Sequence, residues 1–253
     1  MFSAGVRREV AGRLVVAGCV AAEEEADELL ASAPDRATLL AFVARRESGE
    51  PLAWITGEVR FAGIPIRVDR GVYVPRGQTE ELALRAAALL PDGGAAADIC
   101  TGSGAVAAYL RSAAPSAALA ATDIDRCAVA CARRNGVAAL VADLDRGLRS
   151  GSFDVVTAVT PYVPTDQMAF LPSDVLRYEP RLAIDGGQGG LGVLRRLVVG
   201  AARLLHSGGF LLTEIGGDQA TRLAPVLAAS GFVTITTWCD EEGDVRGLGA
   251  ERR

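Results

Sequence analysis

"AADICTGSGAVAAYL", residues 96–110, decides the fold. An apolar run reaches Asp98, a Gly-Ser-Gly turn follows at Gly102–Gly104, and a helical pattern begins at once. That order reads as a buried strand turning directly into a helix. Gly102 and Gly104 let the backbone turn tightly and approach a ligand, and the helix N-terminus faces whatever lies over the strand ends. The third glycine of the dinucleotide fingerprint is missing, and the chain has no Gly-Lys-Ser/Thr for a P-loop. The loop therefore suits pyrophosphate poorly.

The next two elements sharpen the reading. "AATDID" (120–125) puts Asp123 at the end of a second strand, about 20 residues on, where a carboxylate can take both hydroxyls of a ribose. "LVADL" (140–144) puts Asp143 at the end of a third, where it can accept from an adenine amino group. Asp98 is placed to orient the loop or to accept from an ammonium. Three carboxylates on successive strand ends suit a nucleoside with a cationic tail. S-adenosylmethionine (SAM) fits better than NAD. The bland alternative is a generic sheet whose Asp residues only cap helices, and the agreement at three successive elements argues against it.

Outward from that core, strands and helices alternate. Helices are expected over 79–90, 104–113, 126–135, 191–206 and 218–229. Strands are expected over 95–99, 117–122, 137–142, 153–159, 209–215 and 231–238. The strands are nearly continuous in apolar residues, which implies a parallel sheet covered on both faces. Residues 160–190 form a long segment rich in Pro, Asp and Gly, a length that tends to be functional. Upstream, 4–31 and 36–48 read as helices, with Asp35 as an N-cap. Residues 49–76 carry alternating β-formers and read as a hairpin linker. The expected organisation is a helical N-terminal domain (1–48), the linker (49–76) and an α/β domain (77–253).

Composition removes other classes. The net charge is −5, which argues against a general nucleic-acid or membrane-surface binder. No run of ~20 apolar residues offers a membrane span. Arg7-Arg8 followed by "LVVAGC" (14–19) resembles a lipoprotein signal, but Glu9 and Arg13 interrupt it, so a cytoplasmic location is expected. The five cysteines are scattered without a Cys-x-x-Cys pair, so no zinc site is expected. Cys127 and Cys131 share a helix face and read as core. The one histidine, His206, reads as a helix-end residue.

Four stretches together resemble the release-factor glutamine methyltransferase (PrmC/HemK) family, especially an actinobacterial branch. They are "GEPLAWITGEVRFAGIPIRVDRGVYVPRGQTEELA" (49–83), "DICTGSGAVAA" (98–108), "TDIDRCAVACARRN" (122–135) and "YEPRLAIDGGQGGLGVLRRLVVGAARLLHSGGFLLTEIGGDQ" (178–219). The resemblance implies a class I SAM-dependent methyltransferase: a Rossmann-like seven-stranded sheet with a small helical N-terminal domain and a β-hairpin linker. It implies methyl transfer from SAM to the side-chain amide of a Gly-Gly-Gln glutamine in a release factor. By motif, Asp98, Thr101, Gly102, Ser103, Gly104, Asp123, Ile124, Asp143 and Leu144 would hold SAM. Tyr73, Pro75, Arg76, Thr79 and Glu80 would lie near the acceptor.

The family's Asn-Pro-Pro-Tyr motif reads Val159-Thr160-Pro161-Tyr162 here. In the motif, the Asn oxygen and the next backbone carbonyl accept from the substrate amide. Val accepts nothing, and an amide bound that way leaves a donor unsatisfied at ~1–3 kcal/mol. The upstream signature is altered too, to Pro75-Arg76-Gly77-Gln78-Thr79-Glu80, and the C-terminal "GDVRGLGAERR" is polar and weak as a strand. Because the SAM residues are intact, the reading favours a methyltransferase with an altered acceptor, a small metabolite or peptide. The alternatives are a release-factor enzyme that tolerates Val159 and a SAM-binding partner protein without transfer. Val159, Thr160, Pro161, Tyr162 and Tyr73 are the candidate acceptor residues. Glu179, Glu214 and Tyr162 are candidate bases, though an ion pair of Glu179 with Arg177 or Arg181, and stacking of Tyr162 against the acceptor or core, are the plainer expectations. A monomer or homodimer is expected.

Overall fold

The computed structural model describes residues 2–253. Three helices open the chain: Ala4–Val16 (α1), Ala22–Ser32 (α2) and Arg36–Glu47 (α3). The single helix expected over 4–31 is broken. Gly18 takes φ +84°, and the Cys19 N–H turns back to the Leu14 carbonyl at 3.0 Å, a left-handed stop that ends α1. Asp35 caps α3 as expected, its carboxylate accepting from the Thr38 N–H at 2.8 Å. Leu14, Leu29, Leu39 and Val43 close a small core between these helices.

A short helix, Leu52–Thr56 (α4), precedes the hairpin of Glu58–Phe61 (β1) and Ile64–Arg67 (β2). The sequence pattern did not show α4. It carries Trp54, whose indole N–H donates to the Val72 carbonyl at 2.9 Å and pins the chain leading to Tyr73.

Thereafter the order is Thr79–Leu89 (α5), Ala95–Ile99 (β3), Ala105–Ala113 (α6), Ala118–Asp123 (β4), Arg126–Arg134 (α7), Ala139–Val141 (β5) and Phe153–Ala158 (β6). The 160–190 segment holds a short helix, Ser173–Tyr178 (α8), and three 3₁₀ turns. Gly192–Leu204 (α9), Leu205–Glu214 (β7), Gln219–Ala229 (α10), Phe232–Cys239 (β8) and Val245–Arg252 (β9) complete the chain.

The seven strands run in the order β5-β4-β3-β6-β7-β9-β8. β3 to β7 are parallel, but β9 is antiparallel to both its neighbours, so the sheet is mixed and not all parallel. The cause is the short 240–244 connection, which cannot make a crossover and must send the chain back. The polar C-terminal stretch is an inner strand: Leu248 and Ala250 are fully buried, and Gly247 leaves room for the Trp238 ring, which a Cβ would meet at 1.9 Å. Helices cover both faces, with one core under α5, α6 and α7 and another under α9 and α10. The chain reverses direction across the sheet between β3 and β6, and a cleft opens there over the strand ends.

Two smaller expectations change. His206 lies on β7, not at a helix end, and its Nε2 meets Asp154 Oδ1 at 2.9 Å. Cys131 is buried, but Cys127 sits in the exposed first turn of α7.

Candidate active site

Each predicted carboxylate arrives at the cleft on a strand end. Asp98, near the end of β3, is buried, and accepts from the Thr101 hydroxyl at 2.6 Å and the Thr157 hydroxyl at 2.8 Å. No cation among the described residues pairs with it. Burial raises its pKa to about 6, against the pull of the two hydroxyls. Asp123, the last residue of β4, accepts from the Gly102 N–H and the Asp125 N–H, both at 2.9 Å. Burial pushes its pKa up, and these backbone donors oppose the shift. Asp143 follows β5, and its Oδ2 accepts from Arg196 at 2.5 Å.

The loops between are shaped by their backbone. Gly104 sits at φ +82°, and a Cβ there would touch that of Ala132 at 3.0 Å, so the loop can lie on α7 only as glycine. Cys100 and Leu144 take φ +57° and +53°, a sparsely populated region for non-glycine residues. Thr101 and Ser103 are buried in the cleft wall, and the Ser103 carbonyl is held by Asn135 at 2.8 Å. Ile124 stands exposed on the lip.

The same cleft continues past Asp98 to a second, apolar end. Its walls there are Val72, Tyr73, Pro75, Thr79, Val159, Pro161, Pro180, Leu182 and Ala183. Tyr73, Val159 and Pro161 are thus brought together. Thr160, Tyr162 and Glu179 are not in the wall. Thr160 lies two residues past the end of β6, and its hydroxyl is buried without a partner among the described residues. Tyr162 is anchored instead: Gln78 donates to its hydroxyl at 3.1 Å and Gln219 to its carbonyl at 2.8 Å. Burial raises its pKa well above the ordinary phenol.

Glu179 does form an ion pair, but with Arg76, not with Arg177 or Arg181. It turns inward after α8, while Arg177 reaches the Ser48 carbonyl and Arg181 pairs with Asp185. The Arg76 guanidinium also lies 5.1 Å from the centre of the Tyr73 ring. Glu214, at the end of β7, is buried and accepts from Thr79 and from Gln78, the latter at 3.3 Å. Neither candidate base lines the cleft. The arrangement binds and orients; it presents no free base to the apolar end. Among the described residues no group of three or more His, Cys, Asp or Glu could hold a metal ion, and no helix is long and apolar enough to cross a membrane.

No family model matches the chain. Curated relatives do. A release factor glutamine methyltransferase from Geobacter sulfurreducens is 34% identical over 82% of this chain and 75% of its own length. One from Moorella thermoacetica is 40% identical over 74% of the chain and 69% of its own. One from Cereibacter sphaeroides is 33% identical over 99% and 98%. The chain belongs to the release factor glutamine methyltransferase family.

Solved structures agree on the fold. A 16S rRNA N2 G1207 methyltransferase from T. thermophilus, solved with AdoMet and guanosine, superposes with a TM-score of 0.54 at 18% identity, over 78% of this chain and 44% of that one. A ribosomal protein L11 methylase from Lactobacillus delbrueckii subsp. bulgaricus gives 0.52 at 21%, over 74% and 85%. The fold is that of class I methyltransferases, and this family member is a SAM-dependent methyltransferase. The donor set fits SAM, because Asp98 is a buried carboxylate with no cation of its own and the cofactor is cationic. Arg196 and Cys100 also line the cleft and were not anticipated. Arg196 comes from α9, some fifty residues beyond Asp143, so no local spacing could announce it.

Proposed function

We propose that this protein transfers the methyl group of SAM to the side-chain amide nitrogen of a glutamine in a release factor, in the cytoplasm. The observation that carries the reading is the continuity of one cleft from the three carboxylates to the Tyr73, Pro75, Val159 and Pro161 wall. The names of its relatives supply the acceptor. Asp98 would hold the amino-acid end of SAM, Asp123 the ribose and Asp143 the base. When bound, SAM supplies an electrophilic methyl, so the protein's own task is alignment. Tyr73, Pro75 and Pro161 line the end of the cleft where a planar amide would lie. No base is needed before transfer, which agrees with the absence of a free carboxylate at this end. The surplus proton leaves to solvent afterwards.

Val159 favours a second reading. Where the family pattern has an Asn acceptor, this wall is apolar, and that suits an acceptor other than a primary amide, in a small metabolite or peptide. One experiment separates the two. Purified protein and SAM are given a Gly-Gly-Gln release factor from the same organism, and in parallel a metabolite extract, and products are read by mass spectrometry. A single added methyl on that glutamine supports the first reading. An unmodified release factor beside a methylated metabolite supports the second.

A further inference from the structure

Four carboxylates, Asp98, Asp123, Asp125 and Asp143, line the cleft, and among the described residues Arg196 is the one cation in its wall. It stands one turn into α9, on the same face as Val193, which also lines the cleft. Its guanidinium takes Asp143 Oδ2 at 2.5 Å, and no side-chain or backbone donor among the described residues takes Oδ1. The pair is open to the cleft, with 55% of the Arg196 side chain and 34% of that of Asp143 exposed. A surface ion pair of this kind adds little to stability. Its geometry does more. One guanidinium N–H on Oδ2 restrains the carboxylate, where a free Asp would sample several orientations.

We propose that Arg196 is a positioning residue that sets the base specificity of the cofactor site. By occupying Oδ2 it fixes the Asp143 carboxylate and presents Oδ1 as a pure acceptor. A 6-aminopurine offers an N–H to that oxygen. A 6-oxopurine offers a carbonyl, which faces a carboxylate lone pair and is rejected. The inference rests on the SAM assignment but not on the identity of the methyl acceptor.

The test is calorimetric binding of S-adenosylhomocysteine and its 6-oxo analogue, S-inosylhomocysteine, to the full chain, with Arg196→Ala and Arg196→Lys beside it. A charge-assisted hydrogen bond accounts for about tenfold or more in affinity, so the wild type should prefer the adenosyl ligand by at least that factor. Arg196→Ala should weaken the adenosyl ligand by about tenfold while leaving the inosyl ligand nearly unchanged, closing the gap. Arg196→Lys, which keeps a cation and an N–H donor for Oδ2, should restore part of it. Arg196→Ala binding both ligands as the wild type does would overturn the proposal, and so would an equal loss for both, which is the mark of a merely structural role. A wild type without preference would overturn it too. A wild type that bound neither would remove the cofactor assignment first and this inference with it.

Discussion

Asp123 holds the glycine turn and is also the proposed ribose acceptor. Each of its oxygens already accepts a backbone N–H, from Gly102 on one side and Asp125 on the other. Removing it loosens the glycine turn and takes away the proposed ribose acceptor. Asp123→Ala should therefore raise the SAM dissociation constant by more than about 100-fold, since hydrogen bonds to a charged group carry roughly 1.5–3 kcal/mol each. Val159→Ala should leave that affinity within about twofold, because it changes only the apolar end. Isothermal calorimetry on the two variants decides this; ordinary affinity in Asp123→Ala would remove the cofactor assignment. Val159→Asn tests the acceptor. If the substrate is a glutamine amide, the restored acceptor should speed transfer by about tenfold, a hydrogen bond's worth of ~1–3 kcal/mol. An unchanged or slower rate on the release factor would favour the altered acceptor. At this scale the strand-end aspartates were legible because each ends an apolar run at a fixed offset from the glycine turn. Arg196 and the hydrogen bonds of Gln78 were not, nor was the pairing of Arg76 with Glu179, since these partners lie far apart along the chain and only the fold brings them together.

Elements decide how firmly the acceptor end is held. The Pro161–Tyr162 backbone is backed by the glycine-rich segment before α9 and by Gln219 at the start of α10. Gln219 is buried; it donates to the Tyr162 carbonyl at 2.8 Å and the Gly189 carbonyl at 3.3 Å, and accepts from the Gly216 N–H at 2.9 Å. Three chain segments thus converge on one amide. Gly190 allows the approach: at φ +69°, a Cβ would meet the Tyr162 carbonyl oxygen at 1.9 Å and the Gln219 amide at 2.4 Å. Gly190→Ala should cost about 3 kcal/mol, from overpacking and left-handed strain together. Urea denaturation would show it as a lower midpoint, and a wild-type midpoint would mean that these segments separate easily. The element pattern was read correctly where periodicity and apolar runs were strong, in β3, β4, β6, α6 and α9. It was weak at β9, whose Arg, Glu and Gly mask a strand that buries Gly247, Leu248 and Ala250 and closes on Trp238 through a missing side chain. It failed at α4, a five-residue helix too short to show a period.

For the whole molecule, the charge of the cleft sets a pH dependence. Asp98 has a folded pKa of about 6 against an ordinary 3.8, raised by burial. A raised carboxylate pKa stabilises the fold fully below the ordinary value, and that contribution is lost as pH rises through about 6. At neutral pH, without ligand, the cleft thus carries an ionised, buried carboxylate held by two hydroxyls and by no cation among the described residues. Asp123, shifted up by the same burial, acts in the same direction. A cationic ligand beside Asp98 relieves the cost, but only where Asp98 is ionised. SAM should bind more tightly at pH 7.5 than at pH 5 and should raise the melting temperature more at the higher pH. Asp98→Asn should bind SAM weakly at both values and flatten most of the difference between them. The apo chain should lose stability between about pH 4 and 6 on account of this group, and Asp98→Asn should remove that step. Calorimetry and thermal unfolding across pH 4–8 measure all three. A wild type whose SAM affinity does not change between pH 5 and 7.5 would mean that Asp98 never meets the cofactor's charge, and that the cationic end of SAM is held elsewhere in the cleft.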